Sequence, residues 1–550
     1  MRLLGDIYEM MTFTNKTSRS IFVLLLWVAA LQSQAQSKVW NPDNNDGTYS
    51  NPIIHADYSD PDICRVGDDF YMTASSFNAV PGLPILHSRD LVNWTLINHA
   101  LPANQDSHFD TPQHGNGVWA PSIRYHEELF YIYWGDPDRG IFMVQTDDPR
   151  SEWSAPVLVK KAYGNIDACP LWDDDGRMYL IHAFAHSRAG VKSLLQVVEL
   201  TPDGTQILDK GTVVFDGHQD HPTIEGPKFY KRNGYYYIFA PGGGVPTGWQ
   251  IILRSKNIYG PYEDKIVLAQ GNTDINGPHQ GGWVELDNGE SWFIHFQDKG
   301  PYGRVPHLQP VTWKKGWPMM GINPNKEGVG EPVLNYSNPK TNYGNDQWTP
   351  QDSDEFDLPT LGLQWQWNAN PRPQYASLTT RPGHLQLTSQ PLSTGTQNLW
   401  MSPNILTQKI PAMDFLTTIK LDVAHLAEGE ETGLMIFGMD YSGIVVRRTN
   451  GGLQVVQSIC TDAPKNTTPS YEDSKDIKAS TLWLSVQVKN GKASYAYSID
   501  GEAFDPIGSE QTMREGKWIG AKIALYASKS NPKGLPGYAD IDWIRLSAIE

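Results

Sequence analysis

Hydrophobic and polar residues alternate along this chain in short runs that are separated by turns. Five segments share one layout: a polar start, a short apolar run, a polar hairpin turn and an aromatic-rich strand. The second halves of these segments are RVGDDFYMTAS, RYHEELFYIYWG, WDDDGRMYLIHA, YKRNGYYYIFA and VELDNGESWFIHF. A repeat of about 50 residues built from hairpins predicts a β-propeller with five blades. Since no segment shows sustained helical periodicity, we expect an all-β fold.

The repeats also predict where side chains meet. In a propeller the first strand of every blade lines the central axis, so equivalent residues converge there. The residues 11 to 13 positions before the aromatic of each repeat are Asp60, Trp119, Asp167, Glu225 and His279. We therefore expect two aspartates, a glutamate, a tryptophan and a histidine at one end of the axis.

A second β-rich region follows the repeats. Residues 45–320 are predicted to form the propeller, and residues 321–350, rich in Pro, Gly and Asn, a linker. Residues 351–550 contain evenly spaced alternating runs such as TGLMIFGM, LWLSVQV and ADIDWIRL. This pattern predicts a two-sheet β-sandwich of the jelly-roll type.

The N-terminus has the pattern of an export signal over residues 1–35. Lys16 and Arg19 precede the apolar run at residues 21–31, and Ser33 and Ala35 provide small residues for cleavage. The apolar run is too short for a membrane span, which needs about 20 residues. We expect a mature protein that begins near Gln36 and is secreted or periplasmic.

Charge and cysteine content exclude other classes of protein. The formal net charge is −17 and no basic patch is present, which argues against a nucleic-acid partner. Three cysteines, Cys64, Cys169 and Cys460, are too few for a disulfide scaffold. We expect them to be small buried hydrophobic residues.

The three acidic residues suit the hydrolysis of a glycosidic bond. This reaction needs one ionised carboxylate and one carboxyl group that still holds its proton. Asp60 and Glu225 come from blades one and four, almost opposite each other, which leaves room for a water molecule and favours inversion. Asp167, in the adjacent blade three, is placed to raise the pKa of Glu225. Each acid alone also fits a local role: Asp60 in a turn, Asp167 as a strand cap and Glu225 in a loop bend.

Several motifs resemble glycoside hydrolase family 43. They are NPIIHADYSDPDICRVGDDFYMTASSF (residues 51–77), PGLPILHSRDLVNW (81–94), GVWAPSIRY (117–125), NIDACPLWDDDGRMYL (165–180) and TIEGPKFYKRNGYYYIF (223–239). The segments DEFDLPTLGLQWQWN (354–368) and ADIDWIRL (539–546) resemble the concanavalin-A-like sandwich of family β-xylosidases and α-L-arabinofuranosidases. The resemblance agrees with the architecture expected from the repeats.

The resemblance also implies roles for individual residues. Asp60 matches the general base, Glu225 the general acid, and Asp167 the residue that raises the pKa of the acid and orients it. Phe77 and Trp119 match aromatic residues that wall the sugar pocket. Arg304 lies where the family places an arginine that binds sugar hydroxyls. His279 resembles a central histidine that holds a water network or a calcium ion. All four belong to the expected substrate-binding set.

These observations lead to one main functional hypothesis and several alternatives. We expect an exo-acting, inverting glycosidase that releases terminal α-L-arabinofuranose from plant cell-wall oligosaccharides. A β-D-xylosidase is the alternative, and an endo-arabinanase or a non-catalytic sugar-binding propeller is less favoured. No cofactor or catalytic metal is expected, while Asp354, Glu355, Asp540 and Asp542 leave a structural calcium site in the sandwich open.

Overall fold

The computed structural model describes residues 37–104, 106–343, 348–530 and 533–549. The predicted export signal at residues 1–35 lies outside these ranges. In the described part of the chain, strands dominate and the helices are one turn long. These helices are Ser107–Asp110, His186–Ala189, Gly300–Tyr302 and Ala463–Lys465. Among the described residues, none of the helices has the length and hydropathy required to cross a membrane.

The predicted repeats form five four-stranded antiparallel sheets, one per repeat, within the described residues. A short strand, β1 (Thr48–Ser50), precedes them. Blade 1 contains β2 (Asp62–Val66), β3 (Asp69–Thr73), β4 (Gly82–Ser88) and β5 (Thr95–Leu101). Blade 2 contains β6 (Trp119–His126), β7 (Leu129–Asp136), β8 (Gly140–Thr146) and β9 (Val157–Lys161). Blade 3 contains β10 (Asn165–Trp172), β11 (Met178–Phe184), β12 (Leu194–Leu200) and β13 (Thr212–Asp216).

The last two blades repeat this arrangement. Blade 4 contains β14 (Lys228–Arg232), β15 (Tyr235–Gly242), β16 (Trp249–Ser255) and β17 (Glu263–Ala269). Blade 5 contains β18 (His279–Glu285), β19 (Ser291–Asp298), β20 (Arg304–Lys314) and β21 (Trp317–Met320). In each blade the first strand is innermost, and it contacts the neighbouring blades around the axis. The all-β, five-bladed architecture is therefore confirmed.

The hairpin turns between the first two strands of each blade follow the sequence signals. Between β14 and β15, Asn233 and Gly234 have φ angles of 51° and 74°. Two successive positive φ angles characterise the type I′ turn, and Asn-Gly is its preferred sequence. The turn twists the hairpin in the sense of the strands and so fixes which residues of the inner strand face the axis.

The ring closes through the segments on either side of the five blades. Strand β1 pairs with β22 (Asn335–Ser337), which lies in the segment predicted to be a linker. The side chain of Asn51 donates to the carbonyl oxygens of Leu308 (2.8 Å) and Val333 (2.9 Å) and accepts the Leu308 N–H (2.8 Å). Residues of the predicted linker thus connect blade 5 to the segment that precedes blade 1. The polar composition of the linker did not indicate this contact.

The second domain is a β-sandwich, as predicted. The sheets are built from β23 (Gln366–Trp367), β24 (Ala376–Ser377), β25 (Leu385–Thr388), β26 (Gln390–Pro391), β27 (Leu406–Lys409), β28 (Phe415–Asp422), β29 (Glu430–Phe437), β30 (Tyr441–Thr449), β31 (Gly452–Cys460), β32 (Ser470–Ile477), β33 (Thr481–Lys489), β34 (Lys492–Ser498), β35 (Asp505–Thr512), β36 (Lys522–Lys529) and β37 (Tyr538–Ser547). One sheet has the order β23-β27-β36-β29-β30-β31-β32, with β26 beside β36, and the other has the order β24-β25-β37-β28-β33-β34-β35.

The sandwich core forms between the two sheets. Alternate residues of the strands point inward, as in Leu482, Leu484, Val486 and Val488 of β33, which are all fully buried. This period of two is the pattern that predicted the domain. The cysteines Cys64, Cys169 and Cys460 are buried and free, in agreement with the sequence.

Hydrogen bonds join the sandwich to blade 1 of the propeller. Val80 and Trp367 exchange backbone hydrogen bonds of 3.0 and 2.6 Å. The Gln366 side chain donates to the carbonyl oxygen of Pro81 (2.8 Å), and the Asn78 side chain donates to that of Asn368 (2.8 Å). Strand β23 therefore extends the contact into the loop after Phe77 and fixes the sandwich beside the mouth of the propeller.

Candidate active site

Each blade starts with one residue in the left-handed region of backbone conformation. These residues are Asp60 (φ 54°), Ala120 (36°), Asp167 (60°), Gly226 (58°) and Gln280 (32°). In blades 2, 3 and 5 the inner strand also bulges at this point, which lifts the residue out of the ladder. The five blades thus share one left-handed backbone position at the end of the axis.

This shared position corrects the alignment of the five repeats that the sequence suggested. Asp60 and Asp167 occupy the left-handed position themselves, whereas Trp119, Glu225 and His279 lie one residue before it. The spacing of 11 to 13 residues was therefore correct only to within one position. Because one residue changes the direction of a side chain, the five residues do not point to the axis in the same way.

The three acids nevertheless line one pocket at the end of the propeller axis. Asp60, Asp167 and Glu225 all contribute to a cavity whose volume is about 520 Å³ up to its open mouth. Phe77, Trp119 and Arg304 line the same cavity, and so does Trp518 of the sandwich.

Hydrogen-bond donors surround the carboxylate of Asp60. The hydroxyls of Ser59 and Ser75 donate to its Oδ2 at 2.7 and 2.6 Å, and Nη1 of Arg304 lies 3.5 Å from its Oδ1. Ser75 Oγ also accepts the Ala120 N–H (2.7 Å). This hydrogen bond from blade 2 fixes the hydroxyl that donates to Asp60. The result is a fixed acceptor at the pocket wall, which a general base requires.

Asp167 and Glu225 form a coupled pair of carboxyl groups. Asp167 is 2% exposed, and its Oδ2 accepts the N–H of Gly226 at 2.7 Å. Burial raises the pKa of Asp167 well above its usual value, and the nearby charge of Glu225 raises it further. The raised pKa that the structure shows is that of Asp167, the fully buried member of the pair. The pair still provides what the chemistry needs, a proton retained between two carboxyl groups.

The coupled pair makes Asp167→Asn a test with opposite effects on stability and activity. The folded chain holds the Asp167 proton above about pH 4, where an unfolded chain loses it, so rising pH favours unfolding. Asparagine keeps an acceptor for the Gly226 N–H and has no charge to bury. We expect Asp167→Asn to raise Tm at pH 8 by about 2–4 °C, less at pH 5, and to reduce kcat at least tenfold.

Thermal unfolding of wild type and Asp167→Asn across pH 5–8 provides the measurement, with kcat determined on the same samples. A variant that is destabilised equally at both ends of this range would contradict the burial of a carboxyl group with a raised pKa.

His279 lies behind the pocket and does not line it. The residue is fully buried, and its Nε2 is 3.0 Å from Oε1 of Glu225, whose side chain is 24% exposed. His279, which we expected among the substrate-binding residues, thus contacts Glu225 and is not among the residues that line the cavity. The imidazole instead fixes the orientation of Glu225 toward the cavity.

Aromatic rings form the wall beside the acids. The rings of Phe77 and Trp119 are 6.4 Å apart at an angle of 66°, and Trp119 is 6.4 Å from Trp518 at 67°. The Trp119 indole N–H donates to the carbonyl oxygen of Gly115 (2.9 Å), which fixes its ring plane. Phe77 and Trp119 therefore present aromatic rings at the wall of the cavity that the three acids line.

Arg304 lies between Asp60 and the aromatic rings of the pocket wall. Its guanidinium carbon lies 5.1 Å from the ring centre of Phe296 and 5.9 Å from that of Trp518. Nη1 also donates to Ser59 Oγ at 3.0 Å. The cation is thus held between two rings and beside Asp60, at the wall of the cavity.

Trp518 is a pocket residue that the sequence did not reveal. It follows strand β35 in a loop of the sandwich, far from the propeller repeats, and is 48% exposed. Two contacts hold this loop on the propeller: Gly520 N–H donates to Asp57 Oδ2 (3.0 Å), and Ala521 N–H donates to the Pro301 carbonyl oxygen (2.8 Å). A tryptophan between glycines was the only signal in the sequence.

The position of Trp518 predicts an effect on substrate binding. Trp518→Ala removes one aromatic wall, and we expect KM to rise about tenfold, equivalent to about 1.4 kcal/mol, with kcat changed less than threefold. Trp518→Phe keeps a ring and should restore most of the affinity. Steady-state kinetics with a disaccharide substrate provide the measurement, and an unchanged KM for Trp518→Ala would show that the ring does not contact the substrate.

The four sandwich carboxylates that we considered as possible calcium ligands each bind a different partner side chain. Glu355 forms two hydrogen bonds of 2.8 Å with Arg545, Asp540 pairs with Arg381 (2.9 Å), and Asp542 pairs with Lys420 (2.7 Å). Asp354 accepts the Trp365 indole N–H (2.8 Å). Within the described ranges, no group of three or more His, Cys, Asp or Glu side chains has the geometry to hold a metal ion.

A five-bladed propeller with a carboxylate facing a coupled pair of carboxyl groups in one aromatic-walled pocket defines a glycosidase. Residues 49–318 match the model for glycosyl hydrolases family 43, and residues 353–547 match that for the beta xylosidase C-terminal concanavalin A-like domain. The chain belongs to glycoside hydrolase family 43 and carries the concanavalin-A-like domain of its β-xylosidases.

Relatives with known names support this membership. A putative beta-xylosidase of Xylanibacter ruminicola is 38% identical over 91% of this chain and 90% of its own length. A non-reducing end alpha-L-arabinofuranosidase of Bacteroides ovatus is 32% identical over 92% of this chain and 95% of its own length. The solved structure of a bifunctional GH43-CE protein of Bacteroides eggerthii superimposes with a TM-score of 0.80 and 28% identity, covering 94% of this chain and 64% of that one.

Proposed function

We propose that this protein is an exo-acting, inverting glycosidase that removes one terminal pentose from plant cell-wall oligosaccharides. The observation that carries the proposal is the position of Asp60 in the same pocket as the coupled pair Asp167 and Glu225. Asp60 and Glu225 come from blades that are not neighbours in the ring, which favours a separation wide enough for a water molecule. Inverting enzymes separate these groups by about 6.5–9.5 Å.

The reaction follows from the positions of these groups. Asp60 takes a proton from water while the water oxygen attacks the anomeric carbon, and the bond to the leaving oxygen breaks. Glu225 gives that oxygen the proton that it shares with Asp167, and the oxygen leaves as a hydroxyl group. The pair is then ionised, and solvent restores the protonation states of the pair and of Asp60. The products are a free sugar of inverted configuration and the shortened glycan.

The shape of the pocket supports release of single sugars. Trp518 of the sandwich lines the pocket together with Phe77 and Trp119 of the propeller, and its ring lies beside that of Trp119. A pocket that is walled in this way by both domains favours the entry of a chain end. Internal cleavage of arabinan would require an open groove.

The choice of sugar rests on the names of the relatives. We favour β-D-xylose, because the relative with 38% identity is named a putative beta-xylosidase and the sandwich matches the domain of beta xylosidases. The α-L-arabinofuranoside that the sequence favoured remains the second candidate, supported by the relative with 32% identity. The N-terminal signal pattern supports action outside the cytoplasm, as a secreted or periplasmic enzyme.

Two measurements test the proposal. Hydrolysis of aryl β-D-xyloside and aryl α-L-arabinofuranoside decides the sugar, with kcat/KM expected to be higher for the xyloside. Proton NMR of the first product formed from xylobiose decides the stereochemistry, and the α-anomer of xylose is expected. Initial release of the β-anomer from xylobiose would overturn the proposal of inversion, and release of oligomers alone from a longer oligosaccharide would overturn the exo-action.

A further inference from the structure

Asp57 joins the two domains beside the active site. It lies in the segment between β1 and blade 1, shortly before Asp60, and is 4% exposed. Its Oδ1 accepts the backbone N–H of Arg304 in blade 5 (2.9 Å), and its Oδ2 accepts the backbone N–H of Gly520 in the sandwich (3.0 Å). One buried carboxylate therefore bonds at the same time to the propeller and to the sandwich.

The backbone of Arg304 is fixed on both sides by this segment. Asp57 accepts its N–H, and the N–H of Tyr58 donates to its carbonyl oxygen (3.0 Å). At the other end of the residue, Nη1 donates to Ser59 Oγ (3.0 Å) and lies 3.5 Å from Oδ1 of Asp60. The position of the guanidinium beside Asp60 thus depends on the contacts that residues 57–60 make with the backbone of Arg304.

The loop that contains Trp518, residues 513–521, approaches the propeller most closely at two glycines. A Cβ atom on Gly303 would lie 2.5 Å from Cγ of Asp57. A Cβ atom on Gly520 would lie 2.7 Å from the nitrogen of Gly303 and 2.8 Å from the carbonyl oxygen of Tyr302. Only glycine allows backbones to approach in this way, so the sandwich loop is seated directly on the Asp57 carboxylate and its neighbours.

Trp518 has a backbone conformation that needs such support. Its φ angle of 65° lies in the left-handed region, which a residue with a bulky side chain rarely adopts. A strained conformation persists only where the surrounding contacts impose it, and it is concentrated at functional positions. The hydrogen bond from Gly520 to Asp57 lies two residues after Trp518 and is one of the contacts that can impose it.

Two buried lysines of the sandwich also respond to the charge of Asp57. Lys409 and Lys522 lie opposite each other on the neighbouring strands β27 and β36. Burial lowers the pKa of both side chains, that of Lys522 to about 7, and the charge of Asp57 opposes both shifts. An uncharged residue at position 57 would leave these lysines without this counter-charge.

We infer that Asp57 is a positioning residue, which holds Arg304 and the Trp518 loop of the sandwich in fixed places on the wall of the sugar pocket. A carboxylate accepts hydrogen bonds on both oxygens, whereas an amide has only one acceptor oxygen. Hydrogen bonds to an ionised acceptor are also the stronger ones. The inference deepens the proposed function because it concerns the same pocket, but it requires neither the choice of sugar nor inversion.

Asp57→Asn is the first test. The amide keeps the size of the side chain but can accept only one of the two N–H groups, so we expect Arg304 or the Trp518 loop to move. KM should rise about fivefold, with kcat changed less than threefold. Steady-state kinetics with the aryl glycoside that wild type hydrolyses faster provide the measurement.

Asp90→Asn is the matched control. Asp90 is 8% exposed and accepts the backbone N–H groups of Val92 (2.9 Å) and Asn93 (2.7 Å) in the turn between β4 and β5, and it does not line the pocket. This control should lower Tm and leave KM unchanged. A variant Asp57→Asn that also lowers Tm without any change in KM would overturn the inference, because it would show a purely structural role.

A double-mutant cycle tests whether Asp57 acts through Trp518. If it does, the KM of Asp57→Asn combined with Trp518→Ala should lie less than threefold above that of Trp518→Ala alone, whereas independent effects would multiply to about fiftyfold over wild type. Fully multiplicative effects would overturn the inference.

Gly520→Ala provides a second route, which decides the outcome if Asp57→Asn does not fold. The added Cβ displaces the loop from the propeller and leaves the Asp57 carboxylate in place, so KM should rise as in Asp57→Asn. An unchanged KM would contradict the inference.

Crystal structures of wild type and Asp57→Asn give a readout that does not depend on activity. Displacement of Trp518 or Arg304 in the variant supports the inference, and both residues in their wild-type places overturn it. A wild type that hydrolyses neither aryl glycoside, with Trp518 displaced in Asp57→Asn, would refute only the proposed function.

Discussion

Replacement of Asp60 by asparagine is expected to reduce kcat by about 10²–10⁴-fold, the usual contribution of a general base. Asparagine accepts the hydroxyls of Ser59 and Ser75 as aspartate does, and it tolerates the φ of 54° at this position. The fold and the pocket are therefore kept, while the group that takes a proton from water is lost. We expect KM to change less than threefold and Tm by about 2 °C or less.

Steady-state kinetics and thermal unfolding of the purified variant provide the measurement. Asp174→Asn serves as the control, because it removes the same charge from a side chain in blade 3 that is 87% exposed. Activity of Asp60→Asn within tenfold of wild type would remove Asp60 from the chemistry.

The second prediction concerns Glu225, and the size of its effect on kcat/KM depends on the leaving group. Glu225→Gln keeps the size of the side chain and can still contact Nε2 of His279, but it has no proton to give to the leaving oxygen. For a natural disaccharide, whose leaving alcohol needs that proton, we expect kcat/KM to fall about 10²–10⁴-fold. For an aryl glycoside with an acidic phenol as leaving group, the same variant should lose less than tenfold.

The comparison of these two substrates separates a general acid from a structural residue. Glu263→Gln, on the outer strand of the same blade and 71% exposed, is the matched control and should leave both rates unchanged. An equal loss on both substrates would mean that Glu225 supports the pocket without donating the proton.

The location of the three acids was the part of the site that the sequence predicted best. Asp60, Asp167 and Glu225 each stand at the start of one repeat, and the repeats are visible because hairpin turns and alternating strands are local features. The same is true of the sandwich, whose inward-facing residues follow a period of two. The choice between arabinofuranoside and xyloside was not predictable in this way, since the two sugars place similar hydroxyl groups in similar positions.

Other properties of the site arise only from residues that are distant in sequence. His279 shares its place in the repeat with Trp119, yet it is buried behind Glu225 while Trp119 lines the pocket. The pKa of Asp167 is raised because its burial and the nearby charge of Glu225 outweigh its hydrogen bond to Gly226. Spacing along the chain contains no information about either burial.

The sequence by itself determined the all-β class, the five repeats, the sandwich and the order of the three acids along the chain. These follow from alternation and turn residues, which act over a few positions. The tertiary structure decided which of the residues at the starts of the repeats line the pocket, and it placed Trp518 of the sandwich beside them. It also placed His55 and Gln408 around a second cavity between the two domains. Burial and charge at a point in space are sums over segments far apart in the chain, and only the folded molecule brings those segments together.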